Sequence, residues 1–160
     1  MPAPDFTLTN EKGEPWRLSE QLGRVTALLF YPKSETLVCT RQMCSLRDSW
    51  TDYTQTRATI VGISSGTPEE LQNFSNHHRL PISLLADPGR HVAKIYNPYW
   101  WLPTIATRSV VVIDAQGYIN FRRVMLGILR PTDFQVLSAI YAAKTQDLPK
   151  NRLPSRKNGF

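Results

Sequence analysis

Cysteine is scarce: the 160 residues hold two. That is too few for a disulfide-stapled scaffold, and in a reducing compartment a close pair of thiols points to catalysis instead. Long apolar runs are missing too, none approaching the ~20 residues of a membrane span. The first residues, Met1 to Phe6, show no basic segment leading into an apolar one, so no secretory signal is visible. A cytoplasmic protein that does not engage membranes is the expectation. There is no internal repeat, no low-complexity tract and no Cys-x-x-Cys. Nor is there a basic stripe interleaved with aromatics, so no nucleic-acid partner is expected.

The net charge of +6 looks like a surplus of one sign. However, Lys150, Arg152, Arg156 and Lys157 crowd into an acid-free ending, and the rest of the chain is close to neutral. That basic, Pro- and Asn-containing stretch reads as a frayed, solvated tail. The length suits one domain with a real core. We therefore divide the chain into a folded domain over residues 1–147 and a flexible basic tail over 148–160, and expect a monomer.

What is present is concentrated in one place. Cys39 and Cys44 stand five positions apart, just after the strand-like run from Arg24 to Tyr31 and Pro32. Residues 39–53 lack Gly and Pro and put Met43, Leu46 and Trp50 on one helical face. A thiol where a strand hands over to a helix faces the positive end of the helix dipole, which favours thiolate. A second thiol nearby can capture whatever the first becomes. The sequence thus proposes redox chemistry.

The remaining pattern alternates strands and helices. Extended pieces are expected near 5–8 and 16–18, and a β-branched strand over 58–63. Thr67-Pro-Glu-Glu70 is a strong helix start, with a Thr cap and Pro at the first helical position; that helix runs to about His78. A short strand at 82–85, a short helix at 90–96 and the apolar strand Ser109 to Ile113 follow. Asp114-Ala-Gln-Gly117 reads as a hairpin turn into a strand over 118–125. Pro131 to Phe134 opens a last helix to about Lys144, with Phe134, Leu137, Ile140 and Tyr141 as its apolar residues. This order implies an α/β fold, a central mixed β-sheet flanked by helices on both faces, with a right-handed crossover between the first strands. A βαβ unit followed by a hairpin and a final helix matches the thioredoxin-like arrangement.

Individual residues around the first thiol have chemistry to contribute. Pro32 ends the strand and turns the chain into a loop. The Thr36 hydroxyl both donates and accepts. Cys39, three residues later, falls in or near a first helical turn whose free N–H groups can bond an anion. A thiol ordinarily near ~8.5 is strongly depressed at such a site, more so beside a guanidinium. Arg108 is the best candidate for that cation because it heads the Val-rich strand; Arg41 and Arg47 are rivals for the role, read instead as solvated helix residues.

The stretch from Phe30 to Asp48, with its Pro-x3-Thr-x2-Cys pattern, resembles the active-site segment of peroxiredoxins, and the second cysteine at plus five is similar to the Q-type (bacterioferritin-comigratory) branch. Ala3-Pro-Asp-Phe-Thr-Leu8, Val61-Gly-Ile-Ser64, Leu84-Leu-Ala-Asp87 and Arg108 to Asp114 with Gly117 agree, so the likeness runs from about residue 3 to 145. It implies a thiol-dependent peroxidase for hydrogen peroxide and organic hydroperoxides. In that scheme Cys39 is the peroxidatic cysteine, and Thr36 bonds the peroxide. Arg108 stabilises thiolate and transition state, Pro32 shields the site, and Cys44 resolves the sulfenic acid as an intramolecular disulfide. Thioredoxin, or a similar dithiol protein, is the implied reductant, with no cofactor and no metal. One departure stands out: Leu37-Val38 occupies the place where many members carry Pro-Gly, making the mouth bulkier and the loop less permissive.

Plainer readings stand beside these. Cys44 is alternatively a small buried hydrophobe, Thr36 a helix cap, and Arg108 a surface strand residue. His77-His78 reads as a solvated helix end rather than a metal pair, since no Cys or Asp cluster accompanies it. His91 reads as structural, and Asp87 and Asp114 as turn residues. Tyr96 to Pro103 concentrates aromatics in a loop that packs over the core edge, or alternatively walls an organic peroxide or contacts a partner protein. A general thiol–disulfide oxidoreductase is disfavoured by the absence of Cys-x-x-Cys. The rivals to a peroxidase are a redox sensor that passes its disulfide to a partner protein, and a non-catalytic binding module.

Overall fold

The strand Thr26–Phe30 (here β3) is buried at every residue, the mark of a strand in the middle of a sheet covered on both sides. The structure, a computed structural model, describes residues 1–31, 37–96, 108–125 and 133–146. Seven strands are described: β1 (Thr7–Asn10), β2 (Pro15–Arg17), β3, β4 (Thr59–Ser64), β5 (Ser83–Ala86), β6 (Arg108–Ile113) and β7 (Ile119–Met125). They form one sheet in the order β2-β1-β5-β4-β3-β6-β7. β3, β4 and β5 run parallel, while β6 pairs antiparallel with β3 and β7 with β6. The mixed thioredoxin-like sheet expected from the alternating pattern is what forms, with the closing hairpin as its antiparallel edge. Asp114 builds that hairpin turn: its Oδ1 accepts the N–H groups of Gln116 and Tyr118, and Gly117 takes the positive φ of 92°.

Five α-helices are described beside the sheet: α1 (Leu37–Asp48), α2 (Trp50–Gln55), α3 (Pro68–His78), α4 (His91–Tyr96) and α5 (Asp133–Gln146). Period-two alternation along β3 sends Ala27, Leu29 and Tyr31 into one core with Met43, Leu46, Tyr53, Leu71, Phe74 and Ile140. Leu28 and Phe30 enter the other, with Phe6, Leu18, Val92 and Tyr96. Thus α1, α2, α3 and α5 cover one face, and α4 with the N-terminal segment covers the other. Thr67 caps α3 as its sequence announces, its Oγ1 accepting the Glu70 N–H at 3.2 Å. Asp87 does more than turn the chain: its Oδ2 accepts the Ala93 N–H at the start of α4.

Two expectations need correction. The run 39–53 is not one helix, because Ser49 (φ −98°, ψ 14°) separates α1 from α2. In α5 the large apolar residues mislead: Phe134 is 80% and Tyr141 48% exposed, while Val136, Ala139, Ile140 and Ala143 are buried. Positions 136, 139, 140 and 143 form a helical stripe, and its alanines let the helix lie close to the sheet. The basic tail lies outside the described residues.

Candidate functional site

The carboxyl ends of parallel strands in an open α/β sheet are where such folds expose reactive groups. β3 ends at Phe30, and α1 begins at Leu37 on the same edge. Cys39 is therefore the third residue of α1, within the first turn, whose backbone N–H groups have no intrahelical partner. β6 reaches this edge from the opposite direction: Ser109 pairs with Phe30, so the Arg108 backbone lies just past the end of β3. Sheet topology thus brings the chain at Arg108 and the start of α1 to one edge, although Leu37 and Arg108 are 71 positions apart in sequence. Pro32 and Thr36, the side chains of Cys39 and Arg108, and the Leu37-Val38 side chains lie outside the described residues. So does the aromatic run after Tyr96.

Close packing seats α1 on the sheet. Gly62 of β4 faces it; a Cβ there would sit 2.9 Å from Leu84 Cδ2 and 3.0 Å from Tyr31 Cε1, with Met43 Cε at 3.9 Å. The missing side chain lets Tyr31 and Met43 fill the space just beneath the helix. Met43 is fully buried and Leu46 is 2% exposed, so each contributes about 1.5–3 kcal/mol of burial.

A polar clasp holds the other flank of α1. The Asp133 carboxylate, at the first residue of α5, accepts hydrogen bonds from Ser45 Oγ (2.6 Å), Ser49 Oγ (3.2 Å) and Tyr53 OH (2.7 Å). An anionic acceptor strengthens such bonds, and the carboxylate also suits a helix N-terminus. Burial and then the neighbouring Asp133 charge push the Tyr53 phenol well above its ordinary range. Sequence reasoning missed this clasp. Its only trace is the polar repeat Ser45, Ser49, Tyr53 beside the apolar face.

Cys44 is half-buried. Its Sγ lies 3.9 Å from Nδ1 of His78, the last residue of α3. Five helical steps place it about 140° around the axis from Cys39. One turn on, Arg47 Nη1 donates to the His78 carbonyl at 2.7 Å while its Nε reaches Asp48. Two sequence readings change here. Arg47 is a bridge between α1 and α3 rather than a solvated side chain. His78 is not a solvated helix end: it is half-buried, stacks edge-on with Phe74 at 4.8 Å, and touches a cysteine. His77 and Arg41 are exposed as expected. Nothing in the local sequence signals the His78 contact, because 34 residues separate the partners.

A small described cleft lies at the carboxyl ends of β3 and β4, between Phe30, Tyr31, Ile63 and Ser64, and larger ones lie elsewhere. One of about 180 Å³ opens at the opposite edge, between Leu18, Leu22, Thr26 and Ile113, and so takes no part in chemistry at Cys39. No described helix is long and apolar enough to cross a membrane.

A sheet of this topology, with a cysteine in the first turn of the helix after β3, is the frame of a thioredoxin-like thiol protein. The AhpC/TSA family model matches residues 1–122. The chain is 36% identical to peroxiredoxin Q of Sedum lineare over 118 residues, covering 73% of this chain and 63% of that one. Peroxiredoxin Q of Triticum aestivum is 35% identical over 119 residues, covering 74% and 55%. The match thus spans little more than half the length of these plant relatives, both named as chloroplastic. The crystal structure of peroxidoxin BcpB from Mycobacterium tuberculosis superposes with a TM-score of 0.74 at 26% identity, over 91% of this chain and 95% of that one. The chain belongs to the AhpC/TSA family, and the plant relatives it resembles within that family are Q-type peroxiredoxins.

Proposed function

We propose that the protein is a thiol-dependent peroxidase, with Cys39 as nucleophile and Cys44 as the thiol that resolves it. The observation that carries this reading is α1 itself: a continuous helix from Leu37 to Asp48 that starts at the carboxyl edge of β3 and holds both cysteines. In the proposed cycle the Cys39 thiolate attacks one peroxide oxygen and displaces water or alcohol. Thr36 and Arg108 bind the charge that grows on the oxygens as the O–O bond breaks, so their help is greatest in the transition state. Pro32 keeps the reacting sulfur sheltered. The product is a Cys39 sulfenic acid, which condenses with a thiol to a disulfide.

The helix supports an order of events. Residues five apart in an intact helix have Cα atoms roughly 8–9 Å apart, whereas a disulfide needs them within about 7 Å. Part of α1 therefore unwinds before Cys44 can reach Cys39. Melting the whole interval from Thr40 to Met43 would pull Gln42 and Met43, 5% and 0% exposed, from the core. The turn from Leu37 to Arg41 is the part we assign to unwinding, with the Cys44 end held in place. Thioredoxin or a similar dithiol protein then restores both thiols, in a cycle that requires no metal or organic cofactor. A cytoplasmic, monomeric protein remains part of this proposal.

The test is steady-state peroxide consumption coupled to thioredoxin, thioredoxin reductase and NADPH. The wild type turns over, Cys39→Ser is inactive, and Cys44→Ser loses turnover with thioredoxin while still reacting once with peroxide. Full activity of Cys39→Ser would end the proposal. Rapid single reaction with negligible thioredoxin turnover in the wild type would favour the sensor reading.

A further inference from the structure

We propose that His78 is the proton acceptor for Cys44 in the resolving step. The inference rests on the reading of Cys44 as resolving thiol and adds the group that activates it. The nucleophile toward a sulfenic sulfur is a thiolate, not a thiol, so the Cys44 S–H proton must leave as the S–S bond forms. An imidazole is the side chain suited to take a proton near neutral pH. His78 Nδ1 is the ring atom beside Sγ, at 3.9 Å.

The ring is held in that orientation. Phe74, fully buried one helical turn earlier, meets it edge-on at 4.8 Å, and His77 lies against it at 4.6 Å. Arg47 fixes the backbone beneath by donating to the His78 carbonyl at 2.7 Å. Cys44 and Arg47, three residues apart on α1, thus grip the end of α3 at two points of one residue. The far ring nitrogen, Nε2, is buried and has no hydrogen-bond partner. Among the described residues, Cys44 Sγ is therefore the one hydrogen-bonding contact of the ring.

The step balances without a further reagent. The Cys44 sulfur gives its proton to His78 Nδ1 and attacks the Cys39 sulfenic sulfur. The S–O bond breaks as the S–S bond forms, and the departing hydroxide takes up the proton held by the His78 imidazolium, directly or through water, and leaves as water. The sulfenic sulfur is reduced, the Cys44 sulfur is oxidised, and the peroxide already consumed supplied the oxidising equivalents. The pinned end of α1 keeps Cys44 beside His78 while the first turn carrying Cys39 unwinds toward it.

The experiment separates the two chemical steps in wild type, His78→Gln and His78→Ala. Reduced protein is mixed with one equivalent of hydrogen peroxide and quenched at intervals, and sulfenic acid and disulfide are counted by mass spectrometry. Sulfenic acid forms at the wild-type rate in both variants, because the proposed role of His78 lies in the Cys44 step and not in the attack on peroxide. Disulfide formation slows by about 100-fold or more, since a positioned base typically contributes roughly 10²- to 10⁴-fold, and free imidazole restores part of the rate in His78→Ala. Resolution at the wild-type rate in both variants overturns the role, as does slowing that imidazole leaves unchanged, which a merely structural contact would give. Absence of a Cys39–Cys44 disulfide in the oxidised wild type would instead overturn the resolving role of Cys44, and the His78 assignment with it.

Discussion

Replacing Asp133 removes the acceptor shared by three hydroxyls from α1, its flanking residue Ser49 and α2. Tyr53 decides the cost, because it is 1% exposed and water cannot easily replace its partner. A buried hydroxyl left without its bond costs about 1–3 kcal/mol. Ser45 and Ser49 are only half-buried and rehydrate, so together they add about 1 kcal/mol, within the range for ordinary hydrogen bonds. Loss of a carboxylate at a helix N-terminus adds about 0.3–1 kcal/mol. Asp133→Ala should therefore cost about 2–5 kcal/mol, and Asp133→Asn, which keeps one acceptor oxygen, about half of that. Urea unfolding gives these values if the slope is unchanged. Combining Asp133→Ala with Tyr53→Phe should be less costly than the sum of the single changes by about 1 kcal/mol or more, since both remove one bond. A change below about 0.5 kcal/mol, the level of an inert surface substitution, or strict additivity, would refute the clasp.

Other consequences follow from the same packing. Gly62→Ala puts a methyl group against Leu84 and Tyr31 and should destabilise by about 1–3 kcal/mol in thermal or urea unfolding; an unchanged midpoint would mean that the α1 seat is looser than described. Tyr53 is raised in the folded state by burial and by Asp133. The unfolded chain therefore loses that proton first, near pH ~10. The stability it contributes is present below that pH and is lost as pH climbs above it. Tyr53→Phe should flatten the fall in urea midpoint between about pH 9 and 11, and an identical alkaline slope would contradict the burial of the phenol. Peroxide oxidation should erase the helical backbone NMR signature of residues 37–41 while leaving Met43 and Leu46 in place; the same intact helix in both redox states would defeat the intramolecular scheme.

Much of this architecture could be read from the chain. The Thr67-Pro68 start, the Asp114–Gly117 turn and the β-branched strands are local signals with local causes, and each element forms where its signal stands. The faces of helices were less legible. α5 shows its small residues to the sheet and its Phe134 and Tyr141 to solvent, because close approach to the sheet selects size as well as hydrophobicity. The positions of Cys39 at a helix start and of Arg108 at a strand start were legible from turn and strand patterning. The partners that hold α1 were not. Asp133 reaches Ser45 across 88 positions, and His78 reaches Cys44 across 34. A tertiary contact between lone polar residues leaves no periodic trace, and the His77-His78 pair looked like an ordinary helix end for that reason.

The assignment of Cys39 as nucleophile is tested most directly by trapping its product. Cys44→Ser protein, treated with one equivalent of hydrogen peroxide and then with a dimedone-type reagent, should carry one label. Peptide mass spectrometry should place that label on Cys39. Absence of label, or a label on any other residue, would contradict the account.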